Sequence, residues 1–170
     1  SFHPLRDRFM AHLHFDFYKK EELSQIIQNN QPKLKIDIET PARELMASCS
    51  RGTPRIANRI LRRVRDFALV EGKNIICNEQ VNKSLDLMEI DSLGLDRMDR
   101  KILTVIRDFY KGGPVGIEAL CATLSEDRTT IEDVYEPFLL KEGFLLRTPR
   151  GREISQMALE HLETWEARQN

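Results

Sequence analysis

The sequence predicts a mainly helical chain in two units: a small helical bundle, then a winged helix-turn-helix with a β-hairpin wing. Three observations carry this expectation. Apolar residues recur at three- and four-residue spacing along most of the chain, as on one face of a helix. A polar stretch around Gly94, residues 91–96, separates an earlier group of helices from a later one. Near the end, Pro149-Arg150-Gly151 is a turn signal between two runs short enough to be strands.

The elements follow in order. Residues 11–17 alternate, with Leu13, Phe15 and Phe17 on one face and His12, His14 and Asp16 on the other, which reads as a strand. Residues 21–30 make a first helix, which Pro32 should interrupt or end nearby. Residues 41–49 make a second, with Thr40 as its N-cap and Pro41 in the first position. The third has the clearest signal. Thr53 is a natural N-cap, Pro54 suits the first turn, Ile56, Ile60, Leu61, Val64, Phe67 and Ala68 form an apolar stripe, and Gly72 ends it. Residues 78–88 make a fourth. Short amphipathic helices cannot bury their stripes alone, so these four should pack as a bundle.

The second unit opens with a helix over residues 98–110 and the turn Lys111-Gly112-Gly113-Pro114. A short helix over 117–124 follows, then one over 129–142, bent or restarted near Pro137. Residues 144–147 and 152–154 form the hairpin, and a helix over 155–165 closes the unit. Three helices and a hairpin make a winged helix.

Composition sets limits on function. The chain has 170 residues, enough for one generous domain or two small ones. Its net charge is −1, so contact with a polyanion must come from a local patch. Three cysteines, an odd number with no C-x-x-C pair, argue for reduced thiols in a cytoplasmic protein and against a disulfide framework or zinc site. No apolar run approaches the roughly 20 residues that span a bilayer, so no membrane partner is expected. The chain starts with Ser1 inside what reads as a motif, and the expectation is a piece of a longer protein.

Arginines carry the chemistry that can be read. Arg55 occupies the second position of the helix opened by Thr53-Pro54, beside backbone N–H groups that have no intrahelical partner. Those amides and the helix dipole favour an anion, and a guanidinium fork can grip two phosphate oxygens. The alternative is a solvated basic helix face, since Arg51, Arg59, Arg62, Arg63 and Arg65 lie close by. Arg6 and Arg8 flank Asp7 just before the predicted strand, a position from which an arginine can reach a neighbouring subunit's γ-phosphate.

Arg147-Thr148-Pro149-Arg150-Gly151-Arg152 is the strongest local signal for DNA, with three arginines in six residues at a predicted hairpin tip. Arg128, at the start of the preceding helix, can serve the same backbone. That helix carries Glu132, Asp133 and Glu136, which would repel phosphates, so base-specific readout in the major groove should be slight. A solvated basic turn on a protein-docking module is the competing account of the wing. His12, His14 and Asp16 lack further ligands for a metal, and no metal site is expected. Tyr18 is either a core aromatic or a ring packed on a base. There is no Ser-His-Asp or Cys-His arrangement and no G-x-x-x-x-G-K-[ST] phosphate loop, hence no complete catalytic site.

Five strings in register resemble the RuvB family of AAA+ ATPases. They are Pro4-Leu5-Arg6-Asp7-Arg8-Phe9, Arg51-Gly52-Thr53-Pro54-Arg55-Ile56-Ala57-Asn58-Arg59, Gly112-Gly113-Pro114-Val115-Gly116, Thr130-Ile131-Glu132-Asp133-Val134-Tyr135-Glu136-Pro137 and the wing arginines. The resemblance implies an end strand of the ATPase core over residues 1–20, the AAA+ helical lid over 21–92, and a DNA-binding winged helix over 93–170. It further implies a hexameric ATP-dependent DNA helicase or translocase that drives Holliday-junction branch migration in recombination and repair. The implied partners are four-way junction DNA, RuvA and RuvC. ATP or ADP with Mg2+ would be bound by the intact parent, and this part alone would hold none and be inactive.

Carried over by motif, Arg8 matches the arginine finger, Tyr18 a tyrosine near the nucleotide, and Arg55 the sensor-2 arginine. Arg128, Arg147 and Arg152 match DNA-contacting arginines, with Arg150 as a helper. Met10 stands where the family usually has Gly, and Pro32 falls where its helix is normally continuous. Two other readings compete: a winged-helix DNA-binding regulator with a helical dimerisation domain, and a protein-docking module without ATPase activity.

Overall fold

The structure, a computed structural model, describes residues 17–170. The expected strand over 11–17, with His12, His14 and Asp16, therefore lies outside the described residues except for Phe17, as does Met10 before it. The described chain divides into two compact units, Phe17–Asp96 and Arg97–Asn170.

The first unit is a helical bundle. Its helices are α1 (Lys20–Leu34), α2 (Thr40–Ser48), α3 (Pro54–Val70) and α4 (Asn78–Leu87). Leu23 and Ile27 of α1, Ala42 and Met46 of α2, Ile60, Leu61 and Val64 of α3, and Val81 and Leu85 of α4 meet in one core. The expected stripe of α3 is largely the buried face, with Ile56 and Phe67 only half-buried. Thr53 caps α3 by accepting the Ile56 amide at 3.2 Å, and Gly72 follows its end with a φ of 74° that an L side chain adopts only under strain.

Two local expectations change. Helix α1 runs through the exposed Pro32 to Leu34 and stops at Lys35, whose left-handed φ of 55° ends it. A proline this close to the helix end breaks little, because few residues of helix follow it. Thr40 is the first residue of α2 and Glu39 the flanking one, so Thr40 does not cap it. The bundle also contains a two-residue parallel pair, β1 (Asp37–Ile38) with β2 (Ile75–Ile76), extended by the Glu39 amide donating to Ile76 O at 2.9 Å.

Residues 91–95 are tied down onto this bundle. The buried Asp91 accepts the amides of Leu93 and Leu95 at 3.0 and 3.1 Å, closing a tight turn that needs the positive φ of Gly94. Arg51 Nη1 donates to Gly94 O at 3.2 Å.

The second unit is a winged helix. It contains α5 (Arg97–Tyr110), α6 (Ile117–Leu124), a composite helix α7 (Arg128–Thr130, Ile131–Tyr135 and Glu136–Lys141), β3 (Leu145–Thr148), β4 (Gly151–Ile154) and α8 (Gln156–Gln169). Ile102, Leu103, Ile106, Leu120, Leu124, Ile131, Leu139 and Leu162 supply buried apolar side chains. On α8, Ser155 caps the first turn through the Ala158 amide, Trp165 lies 3.9 Å beneath the Arg100 guanidinium, and Glu166 takes both arms of Arg107 at 3.0 and 2.9 Å.

The middle of α7 has π geometry. The Glu136 amide reaches back five residues to Ile131 O, and Pro137 follows immediately. A proline has no N–H to give the carbonyl four residues back and crowds it, so the turn before it widens. The expected bend near Pro137 takes this form.

The wing carries one further bridge that the hairpin signal did not reveal. Val115 and Arg152 exchange both backbone hydrogen bonds, at 2.9 and 2.8 Å, and Ile154 donates to Gly112 O. Added Cβ atoms at Gly113 and Gly151 would run into the carbonyl oxygens of Arg152 and Val115. The glycines let the turn after α5 lie against β4.

Candidate nucleic-acid interface

The hairpin register builds the site. Leu145 pairs with Ile154, Leu146 with Glu153, Arg147 with Arg152 and Thr148 with Gly151. Side chains two apart share a face, so Arg147 and Arg152 lie opposite each other on the same face as the buried Leu145 and Ile154. Two cations facing each other across a ladder repel, and this arrangement calls for an anion between them.

Glu132 of α7 is that anion. Its Oε2 accepts from Arg147 Nη2 at 3.3 Å and Arg152 Nη2 at 3.0 Å, and its Oε1 accepts from Arg128 Nε at 3.0 Å. One carboxylate thus gathers three guanidinium groups from three elements. Burial pushes its carboxyl up, but pairing with Arg128 and the charges of Arg128 and Arg152 outweigh this and hold it below the ordinary range.

The wing arginines divide by exposure. Arg128 and Arg147 have side chains 59% and 52% exposed, and Arg150 is exposed at the hairpin tip. Arg150 has no carboxylate partner among the described residues, and its backbone N–H donates to Thr148 Oγ1. Arg152 is different, because its side chain is 7% exposed and is held by Glu136, which is 2% exposed. Arg152 Nε and Nη2 reach the two oxygens of Glu136, the second at 3.1 Å. The structure therefore brings all four expected DNA-binding arginines to one region and places Arg152 inside it. Glu132 and Glu136, read from the sequence as repelling phosphate, are both occupied by these arginines. Their spacing of four residues facing an arginine-rich strand was the available signal.

The first unit carries the other candidates. Arg55 is exposed in the first turn of α3, with no carboxylate partner among the described residues. Tyr18 is 43% exposed, and its amide donates to Gly52 O at 2.8 Å. Phe17 packs where a Cβ on Gly52 would stand, 2.8 Å from Phe17 Cδ1. Tyr18 is thereby fixed to the loop that opens α3, the same end that carries Arg55. Arg59, Arg62 and Arg63 extend an exposed basic face along α3. Arg8 lies outside the described residues.

Cys49 and Cys121 are buried, Cys77 is half-buried, and all three are free thiols. Burial pushes the Cys49 thiol up. Among the described residues no group of His, Cys, Asp and Glu is arranged to hold a metal ion, and no helix is long and apolar enough to cross a membrane.

Comparison with known proteins agrees with this architecture unit by unit. Residues 18–91 match the family model described as the RuvB AAA lid domain, and residues 92–163 match the RuvB C-terminal winged helix domain. The Holliday junction branch migration complex subunit RuvB of Pseudothermotoga lettingae is 50% identical over 159 residues, which is 94% of this chain and 46% of that protein. The solved Thermotoga maritima RuvB Holliday junction branch migration motor superposes with a TM-score of 0.85 at 47% identity, covering 87% of this chain and 50% of that one. A point variant of the T. maritima protein gives the same score and identity, with 49% of its chain covered. The chain spans about half the length of the relatives it matches.

Proposed function

The chain belongs to the RuvB family, and from that premise we propose that it is the lid and DNA-gripping part of a Holliday-junction branch-migration motor. The observation that carries this reading is the convergence of Arg128, Arg147 and Arg152 on Glu132, with Arg128, Arg147 and the hairpin-tip Arg150 exposed. Guanidinium groups so placed bind phosphates by charge and release counterions, with no reading of bases. A motor that must move over any sequence needs that kind of grip. Arg128, Arg147 and Arg150 reach the DNA backbone from the surface, and Arg152 holds the shape of the wing beneath them while lying within reach of the same phosphates.

In the lid, Arg55 and Tyr18 fit part of a nucleotide site. An exposed arginine in the first turn of a helix suits phosphate, and the tyrosine tethered to the same loop suits a flat or sugar surface. The sequence has no phosphate loop, so ATP with Mg2+, whose γ-phosphoryl group passes to water as ADP leaves, would be held mainly by the ATPase core of the complete protein. Arg55 binds phosphate and so links lid position to nucleotide state, while Arg8 reaches a neighbouring subunit's nucleotide. The assembly is a homo-hexamer in the cytoplasm, working on four-way junctions with RuvA and RuvC.

Fluorescence anisotropy of a labelled duplex across a salt series tests the reading. Arg147→Ala/Arg150→Ala should weaken binding and flatten the salt dependence by about 0.9 in log–log slope for each phosphate no longer neutralised. Unchanged affinity in that variant would favour a protein-docking module. In the complete protein, Arg8→Ala should cut ATP hydrolysis by roughly 10³-fold or more, and undiminished hydrolysis would remove the finger assignment.

A further inference from the structure

Three positive groups, Arg128, Arg147 and Arg152, close on the Glu132 carboxylate. The other carboxylate that meets them among the described residues, Glu136, binds Arg152 from the buried side. The cluster is thus built around a single hydrogen-bonded anion position, where three guanidinium groups meet one carboxylate, with Glu118 acting on Arg128 only through its charge. A phosphodiester matches the carboxylate here: one negative charge, with two oxygens able to accept from separate guanidinium groups.

We propose that the point where Arg128, Arg147 and Arg152 converge is a backbone-phosphate site, occupied in the DNA-free chain by the Glu132 carboxylate and taken over by phosphate on binding. The proposal rests on the DNA-binding reading of the wing. Glu132 enters from the widened π turn and its side chain is 24% exposed, so it lies at the rim of the cluster and not beneath it. Its pairs with Arg128 and Arg147 involve side chains more than half exposed. Ion pairs of that kind contribute little, so exchanging carboxylate for phosphate costs little. The Arg152–Glu136 pair is buried and stays, which keeps one guanidinium in place while two swing with the phosphate.

Glu132 is then a built-in competitor. It prevents Arg147 and Arg152 from repelling each other when no DNA is bound, and it lowers the hold on each phosphate. A grip that must be released and remade along a duplex gains from such a competitor.

Anisotropy with the full chain and a labelled duplex tests this through Glu132→Gln, which keeps shape and hydrogen-bonding oxygen and removes the charge. Removing the competing charge is equivalent to neutralising one more phosphate. Binding should tighten about 8-fold near 0.1 M salt, and the log–log salt slope should steepen by about 0.9. Equal or weaker binding by a folded variant overturns the proposal, since a carboxylate that only positions the arginines would be missed. A second measurement uses wild-type chain and inorganic phosphate, following the Nε–H resonances of Arg128, Arg147 and Arg152. Shifts of Arg128 and Arg147 that saturate, with Arg152 still held, support the exchange, and no shift overturns it. Failure of wild-type chain to bind duplex at low salt would instead remove the DNA-binding reading, and the phosphate titration separates the two failures.

Discussion

Arg152 and Glu136 form a two-armed ion pair buried between the wing and helix α7, with the Arg152 guanidinium shared outward with Glu132. The pair joins the wing hairpin, where Arg152 also meets Val115 in a single bridge, to the composite helix that presents Glu132. Wing position and helix position are therefore coupled through one side chain.

Removing one partner of such a pair leaves a charge in the interior with nothing to balance it. Glu136→Ala should destabilise the winged unit by about 3–5 kcal/mol, a large share of the total for a domain of this size. Trp165 is the single tryptophan and lies in this unit, so its fluorescence during urea unfolding reports the change. The double change Glu136→Leu/Arg152→Met should cost much less than the two single changes together. A midpoint for Glu136→Ala equal to wild type would mean that solvent reaches the pair freely.

Glu132 makes part of this stability depend on pH. Its folded pKa lies below the ordinary 4.5. The stability it contributes is fully present above that unfolded value and is lost as pH falls through the lower folded one. Trp165-monitored stability should therefore decline below pH of about 4.5, and Glu132→Gln should remove part of the decline. Asp108, held low by Arg107, contributes its own share, so the wild-type and variant curves must be compared by difference. Parallel curves would show that the arginines do not favour the charged carboxylate.

Much of this is legible in the chain. Thr53-Pro54 marks the start of α3, the turn residues Pro149-Arg150-Gly151 mark the wing, and apolar spacing locates every helix of both units to within a few residues. Other features leave no such trace. Val115 joins β4 through a single bridge, and β1 pairs with β2 over two residues, both too short to produce a periodic signal. The π turn arises from Pro137 in a helix that tertiary packing sustains on both sides. Arg152 reads in the sequence like its neighbours, as an arginine of the hairpin tip. The register places it two residues before the buried Ile154, on the inward face, and Glu136 makes that position tolerable. Local charge density marks the arginine cluster, and only the pairing of strands shows which of its arginines face outward.

Gly151 is a second point of sensitivity in the wing. Its φ of 134° is one that L side chains rarely adopt, and a Cβ there would run into Val115 O. Gly151→Ala should break the Val115–Arg152 bridge and cost at least 1–3 kcal/mol, roughly the range for a residue held in a sparsely populated conformation. Hydrogen exchange should show faster exchange of the Val115 and Arg152 amide protons, while Leu103 in α5 stays protected until the whole unit opens. Unaltered exchange at both amides would show that the bridge contributes nothing to the wing.

Thr53 holds the end of α3 that carries Arg55, the arginine proposed to bind phosphate. Its hydroxyl accepts the Ile56 amide and holds the first turn of α3, in which Arg55 is the second residue. Thr53→Ala should cost about 1 kcal/mol, equal to roughly fivefold more frequent opening of that turn, whereas Thr53→Ser keeps the acceptor and should behave as wild type. Exchange of the Ile56 amide measures this directly. If Arg55 binds phosphate as proposed, a frayed first turn would displace it in the complete protein, so Thr53→Ala should raise the KM for ATP and Thr53→Ser should not. A raised KM in both variants would point to a contact made by the threonine methyl, because the serine lacks only that group.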